Sequence, residues 1–153
     1  MKHFIIKEEF ETCEQTKIYD ITENIIKVIK KSEIKNGHVL IQVMHTTVGI
    51  YVNEGEERLL EDFIIYLNRI APNIKGYYLH DDISKRDCPE DEPINGHSHI
   101  KSAFFSNPSI SLILIGGELQ LGKYQRILFA EFDGPCPRKH KTKRGILISI
   151  FGE

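Results

Sequence analysis

Four short polar segments carry the residue types that could do chemistry in this chain. They are His45-Thr46-Thr47, Asn53-Glu54, His80-Asp81-Asp82 and His97-Ser98-His99, and four of the seven histidines lie in them. Imidazole is the commonest protein metal ligand, and its unperturbed pKa near neutrality also suits acid–base catalysis. A fold that gathers these segments would therefore have a metal site, an acid–base site or both.

The pair His97 and His99 is the most specific of these signals. On an extended segment, side chains two residues apart point the same way and could both reach one ion. On a helix the two rings would diverge, so that one of them would be a ligand and the other would not. Lys101, two residues further on, could contact a phosphate or carboxylate group, or it could simply be solvated.

His45 and Glu54 each follow an apolar run, over residues 39–44 and 48–52 respectively. If these runs form neighbouring strands, the two side chains could lie near each other. Glu54 could equally be a carboxylate that offsets the dipole at the start of the next helix.

His80 and Asp81 lie in a stretch rich in Gly, Asp and Pro that spans residues 73–95 and reads as an irregular loop. A carboxylate beside an imidazole could bind the same divalent cation as the imidazole, or it could orient the histidine ring by a hydrogen bond to it. Asp81 could also be an ordinary turn residue.

The periodicity of apolar residues predicts the elements that would position these groups. The predicted strands cover residues 4–10, 39–44, 48–52, 109–115, 118–121, 125–132 and 146–151, and the predicted helices cover residues 21–35, 56–68 and 99–104. Strands outnumber helices and are mostly joined by short turns. The sequence therefore predicts a single α+β domain over residues 1–153, with a largely antiparallel β-sheet or sandwich and two to three helices.

Composition excludes several classes of partner. The 20 basic and 22 acidic residues leave a net charge of −2, which argues against nucleic acid and against an anionic membrane surface. No apolar run approaches the length of a membrane span. Cys13, Cys88 and Cys136 show no paired spacing, which favours reduced thiols in the cytoplasm. A basic run over residues 138–144 is predicted to be an exposed loop, with a phosphate-attracting edge as the alternative.

Many of these residues recur in an order that resembles the YjbQ family, whose members are often described as secondary thiamine-phosphate synthases. The residues that carry the resemblance span the chain: His45-Thr46-Thr47, Asn53-Glu54, Asp62, His80-Asp81, His99-Ile100-Lys101-Ser102, Pro108-Ser109, Gly117, Leu121-Gly122, Gln125, Glu131 and Gly152-Glu153. There are departures from the family pattern. Tyr124 stands where Trp is usual, and Phe132-Asp133 replaces a His-Arg pair seen in some members.

The resemblance implies a homotrimer with sites near the subunit boundaries, acting on a small phosphorylated molecule. It also implies the roles of individual residues: His45, Glu54, His80 and His99 as catalytic residues; Thr46, Asn53, Asp81, Lys101 and Gln125 as substrate-binding residues; and His45, His97, His99 and Glu54 as ligands of a divalent metal ion such as zinc or magnesium.

The leading hypothesis is a cytoplasmic enzyme with weak thiamine-phosphate synthase-type activity. It would join a pyrimidine diphosphate to a thiazole phosphate and release pyrophosphate. A metal-dependent hydrolase would use the same residues, and a metal- or ligand-binding protein without turnover is the alternative from another class.

Overall fold

The computed structural model of the protein describes residues 1–12, 15–134 and 143–153. Within these ranges the helices are α1 (Thr22–Ser32), α2 (Glu57–Ile70) and α3 (Gly96–Phe105), and the strands are β1 (Lys2–Glu11), β2 (Lys17–Asp20), β3 (Gly37–Val43), β4 (Val48–Glu54), β5 (Ser109–Ile115), β6 (Glu118–Leu119), β7 (Gln125–Glu131) and β8 (Lys143–Gly152). The α+β prediction is confirmed. No helix in the described ranges is long and apolar enough to cross a membrane. Cys13, Cys136 and the basic residues 138–141 lie outside the described residues.

The described strands form two antiparallel sheets. One has the order β1-β8-β3-β5-β6 and the other has the order β2-β7-β4. The consecutive strands β3 and β4 therefore belong to different sheets, because the chain crosses between the layers at residues 44–47. The condition under which His45 and Glu54 would lie near each other, that these two runs form neighbouring strands of one sheet, is therefore not met.

The main core lies between the two sheets, where α1 inserts one apolar face. Ile25, Val28 and Ile29 of that helix are almost fully buried against strand residues such as Ile41 and Phe129. Burial of each such side chain contributes roughly 1.5–3 kcal/mol. The spacing of the apolar positions at i, i+3 and i+4 is what turns this face of α1 towards the sheets.

A second core lies on the opposite face of the smaller sheet, which α2 covers. Leu67 of α2 packs there with Leu128, Ala130 and Phe132. The central strand β7 is therefore buried on both faces, which explains why Ile127–Ala130 is a continuous apolar run instead of an alternating one.

Helix α3 is held against the start of β4 by short polar contacts. The Ser102 hydroxyl donates to the Val48 carbonyl at 2.7 Å. Beyond the helix end, Asn107 and Ile50 exchange two backbone hydrogen bonds of 2.9 and 3.1 Å. These contacts fix one face of α3 beside the turn that joins β3 to β4.

Gly49 makes this close approach possible, and Gly49→Ala is expected to destabilise the fold by about 1–3 kcal/mol. A Cβ at this position would lie 1.7 Å from Ser106 Oγ, so the end of α3 would have to move away from β4. Urea denaturation measures the change. In a Ser106→Gly background the nearest remaining Ser106 atom is 3.5 Å away, so Gly49→Ala should cost little there. An equal loss in both backgrounds would contradict this explanation.

Candidate active site

A cleft of about 1120 Å³ opens between the turn joining β3 to β4, the segment leading into α3, and the start of β8. Its polar wall includes His45, Thr46, Asn95, His99, Asp133 and Arg144. Two of the four polar segments singled out in the sequence thus supply side chains to one concave surface.

The helical conformation of residues 96–105 separates His97 from His99. His99 lies on the face of α3 that also presents Ser102 to the cleft. His97 and Lys101, four residues apart, are buried on another face. The structure therefore selects the diverging alternative for the histidine pair.

His97 and Lys101 belong to a buried polar cluster. His97 is only 2% exposed, and burial lowers its pKa to about 4, helped by the nearby charge of Lys101. Lys101 is fully buried, and its Nζ donates to Asn68 Oδ1 at 2.6 Å and to Thr16 Oγ1 at 3.4 Å. Burial lowers the pKa of Lys101 to about 8. The structure does not bring Lys101 to the cleft, although the sequence suggested a phosphate contact.

His99 is half-buried and its ring lies beside that of His80, with 4.6 Å between the ring centroids and an angle of 59° between the ring planes. Burial lowers the pKa of His99, and the neighbouring His80 and Arg86 lower it further, whereas Glu92 opposes them. His80 Nε2 is buried and has no hydrogen-bond partner among the described residues. The pair thus presents a neutral imidazole, that of His99, to the cleft at neutral pH.

Asp81 is buried and anchors the start of α3 instead of orienting His80. Its Oδ1 accepts the backbone N–H of Gly96 at 3.1 Å. A carboxylate at this position satisfies an otherwise unpaired helix N–H and complements the helix dipole. Asp81 therefore positions the helix that carries His99.

His45 lies in the turn between β3 and β4, beside Thr46 and Thr47. Its Nε2 accepts the backbone N–H of Gly145 at 3.2 Å. Because an accepting ring nitrogen carries no proton, this bond assigns the proton of the neutral ring to Nδ1. The turn therefore places one imidazole ring and two threonine side chains along one wall of the cleft.

A buried ion pair lies behind the cleft. Arg144 Nε donates to Glu131 Oε2 at 2.5 Å, and Arg144 Nη2 donates to Glu131 Oε1 at 2.8 Å. Glu131 is fully buried and Arg144 is only 3% exposed. The Thr12 hydroxyl also donates to Glu131 Oε2, at 2.7 Å. This two-pronged geometry satisfies both carboxylate oxygens and fixes the position of the guanidinium group.

Asp133, two residues after Glu131, is a buried carboxyl on the wall of the cleft. Asn95 Nδ2 donates to its Oδ2 at 2.7 Å. Burial raises the pKa of Asp133, and the neighbouring Glu131 charge adds to this, whereas Asn95 and Arg144 oppose it.

Glu54, Asn53 and Gln125 lie at the other end of the smaller sheet. Glu54 pairs with Gln125 across β4 and β7. Six residues of extended chain separate the start of β4 from Glu54, which is about 20 Å. Asn53 Oδ1 accepts the Glu54 N–H, and Gln125 Oε1 accepts the Gly122 N–H. Within one chain these three predicted site residues do not join His45 and His99.

The predicted metal ligands do not fit one coordination sphere within this chain. Among the described residues, no three His, Cys, Asp or Glu side chains lie close enough together to hold a metal ion. The geometry explains why: His97 turns away from His99, and Glu54 lies at the far end of β4.

Asn95 and Asp133 were not among the site residues predicted from the sequence. Arg144 was predicted to lie in an exposed basic loop, which is wrong, because it is buried in β8. One signal was available, because Glu131 follows the uninterrupted apolar run 127–130 and Arg144 precedes the apolar segment 145–148. A charge next to a buried strand requires a partner of opposite sign. An ion pair between Glu131 and Arg144 could therefore have been predicted from the sequence.

Comparison with known proteins gives the same family over almost the whole chain. The model of the family described as "UPF0047 protein YjbQ-like" matches residues 7–153. A UPF0047 protein of Archaeoglobus fulgidus is 36% identical over 128 residues, which cover 84% of this chain and 90% of that protein. A UPF0047 protein of Methanocaldococcus jannaschii is 33% identical over 141 residues, covering 91% and 92% of the two chains.

Solved structures agree with this result. A YbjQ-like protein of unknown function from Sulfolobus solfataricus superposes with a TM-score of 0.83 at 30% identity, covering 99% of both chains. A YjbQ/UPF0047 family protein from Clostridium acetobutylicum gives a TM-score of 0.78 at 29% identity, covering 95% of this chain and 99% of that one. Sequence and fold together show that this chain belongs to the YjbQ (UPF0047) family.

Proposed function

We propose that the cleft is an active site for a small phosphorylated molecule and that the protein is an enzyme with weak thiamine-phosphate synthase-type transferase activity. The reaction would join a pyrimidine diphosphate to a thiazole phosphate and release pyrophosphate. The name of the reaction rests on the family resemblance. One observation carries the site itself: a neutral imidazole, that of His99, faces a wall of hydrogen-bond donors across one cleft.

The donor wall suits phosphate oxygens, which are hydrogen-bond acceptors. His45 contributes its imidazole ring, and Thr46 and Thr47 contribute hydroxyl groups from the same turn. Arg144 adds a guanidinium group whose orientation Glu131 fixes. Because Glu131 offsets the charge of Arg144, recognition by this wall would depend on directed hydrogen bonds more than on net charge.

His99 would act as the proton acceptor or orienting group. Its lowered pKa leaves the ring neutral at pH 7, so that it can accept a proton or a hydrogen bond from the substrate. A positioned acid–base group typically contributes about 10²–10⁴-fold to the rate.

Pyrophosphate release from a pyrimidine diphosphate and a thiazole phosphate tests the proposal, with thiamine phosphate identified by mass spectrometry. His99→Asn is expected to lower kcat by about 10²-fold or more. The matched control is His38→Asn, because His38 is exposed on β3 and is not part of the cleft lining. That variant should keep the wild-type rate.

Calorimetric titration with inorganic pyrophosphate measures binding separately from turnover. Binding with no product would contradict the transferase and would identify a ligand-binding protein. Neither binding nor product in the wild type would overturn the proposal, and so would an equal loss of rate in the two histidine variants.

A further inference from the structure

Asp133 lines the cleft, although neither the sequence patterns nor the family resemblance predicted it as a site residue. It is 8% exposed and lies at the end of β7, on the same cleft as His99 and Asn95. Its Oδ2 accepts the Asn95 amide N–H at 2.7 Å. A carboxyl group whose one oxygen accepts such a bond can carry its proton on the other oxygen, Oδ1.

The groups around Asp133 come from three elements. Glu131 precedes it at the end of β7, Arg144 lies on β8, and Asn95 and Ser98 lie at the start of α3. Both carboxylate oxygens of Glu131 bond to Arg144. The negative charge of Glu131 therefore largely offsets the effect of the Arg144 positive charge on Asp133. Asn95 and Ser98 carry no charge, but their hydrogen bonds to the Asp133 carboxyl favour its charged form and oppose the effect of burial. The described surroundings therefore leave burial as the dominant influence, and burial favours the neutral acid.

Asn95 supports this arrangement. Its side chain makes no capping hydrogen bond to α3, and the residue is only 4% exposed. Asn95 Oδ1 has no partner among the described residues. The amide group therefore serves to hold the Asp133 carboxyl in place, and its own oxygen stays available for a donor.

We infer that Asp133 is the general acid of the cleft, the group that protonates the leaving pyrophosphate. This inference rests on the proposed function. A thiazole nitrogen lone pair would form the new carbon–nitrogen bond while the carbon–oxygen bond to the diphosphate breaks. The electron pair of that bond stays on the pyrophosphate oxygen, which takes the Asp133 proton. Asp133 is left as a carboxylate, and water restores its proton.

Three other described acids fit this role less well. Glu92 also lines the cleft, but it is only partly buried. Glu131 is fully buried and accepts from Arg144 and Thr12, which stabilises its carboxylate form. Glu54 lies at the far end of β4. Asp133 combines placement on the cleft with surroundings that favour the protonated state.

The test is the pH profile of kcat for pyrophosphate release in the wild type and in Asp133→Asn. A raised folded-state pKa keeps the acid protonated at low pH, so activity should fall as the pH rises through that value. Asp133→Asn should lower kcat by about 10²-fold or more with little change in KM, and the limb that falls with rising pH should disappear. Asp62→Asn is the control, because Asp62 is exposed on α2 and does not line the cleft.

A second variant covers the case in which Asp133→Asn does not fold. Asn95→Leu removes a donor that favours the charged carboxylate, so the falling limb should move to higher pH while turnover persists. The inference would be overturned if the falling limb of the pH profile did not move in Asn95→Leu, or if a folded Asp133→Asn kept the wild-type profile. Wild-type turnover would still support the proposed function in either case. Absence of both pyrophosphate binding and turnover in the wild type would instead remove the proposed function, and this inference with it.

Discussion

Replacing Arg144 with Met is expected to lower the free energy of unfolding by about 3–5 kcal/mol. The substitution leaves Glu131 as a fully buried carboxylate whose two oxygens have lost a two-pronged partner. Removal of one member of a buried ion pair is costly because the remaining charge has neither water nor a counterion around it. Urea denaturation at pH 7 measures the loss.

Arg126→Met is the matched control for this prediction. Arg126 Nε lies 2.6 Å from Asp20 Oδ2, but both side chains are about one-third exposed. An exposed pair of this kind is worth at most about 1 kcal/mol. A double variant, Glu131→Leu with Arg144→Met, should recover part of the loss, because it removes both buried charges. If Arg144→Met lowers the free energy of unfolding no more than Arg126→Met does, the buried pair stabilises the fold no more than the exposed one.

Lys101→Met is expected to change how stability depends on pH. The folded-state pKa of Lys101 is about 8, below its ordinary 10.5. Between these two values the unfolded chain binds a proton that the folded protein does not, so wild-type stability should rise with pH over this window. Below pH 8 the folded protein carries the full cost of the buried charge, which amounts to at most about 3 kcal/mol.

The informative quantity is the stability of Lys101→Met minus that of the wild type. This difference should be largest below pH 8 and should shrink towards pH 10.5, because the variant has no ammonium group to bury. Asn68, which accepts the Lys101 bond, is exposed and can bond to water instead. Lys27→Met on α1 is the control, since the Lys27 ammonium group stays in water in both states. A flat difference for Lys101→Met would show that burial does not disfavour its charge.

Apart from the short strand β2, the helices and strands could be predicted from the sequence, because local apolar spacing determines them. Ile25, Val28 and Ile29 share a helical face in any environment, and the Gly116-Gly117 pair has the positive φ angles, 63° and 86°, that a tight hairpin requires. The assignment of β3 and β4 to different sheets depends on long-range hydrogen bonds. Both strands are apolar enough to be buried in either sheet, and the local pattern of apolar residues does not indicate to which sheet each strand belongs.

The candidate site was only partly predictable for a related reason. His45 and His99 were identified by residue type, and both line the cleft. The helical conformation of residues 97–99 determines that His99, and not His97, faces the cleft. That conformation depends on Asp81, which lies 15 positions before Gly96 and accepts its backbone N–H at the start of α3. Asp133 was missed because an acid before a glycine at a strand end is indistinguishable, in sequence, from an ordinary turn residue.

The pairing of β1 with β8 has a consequence for how the protein is made. Residues 2–11 pair with residues 143–152 in one continuous antiparallel register, so β1 cannot form this pairing until residues 143–152 have been synthesised. The start of β8 also carries Arg144 and Gly145, which hold Glu131 and His45. The cleft is therefore completed late in synthesis, by contacts between segments far apart in sequence, and such contacts form slowly.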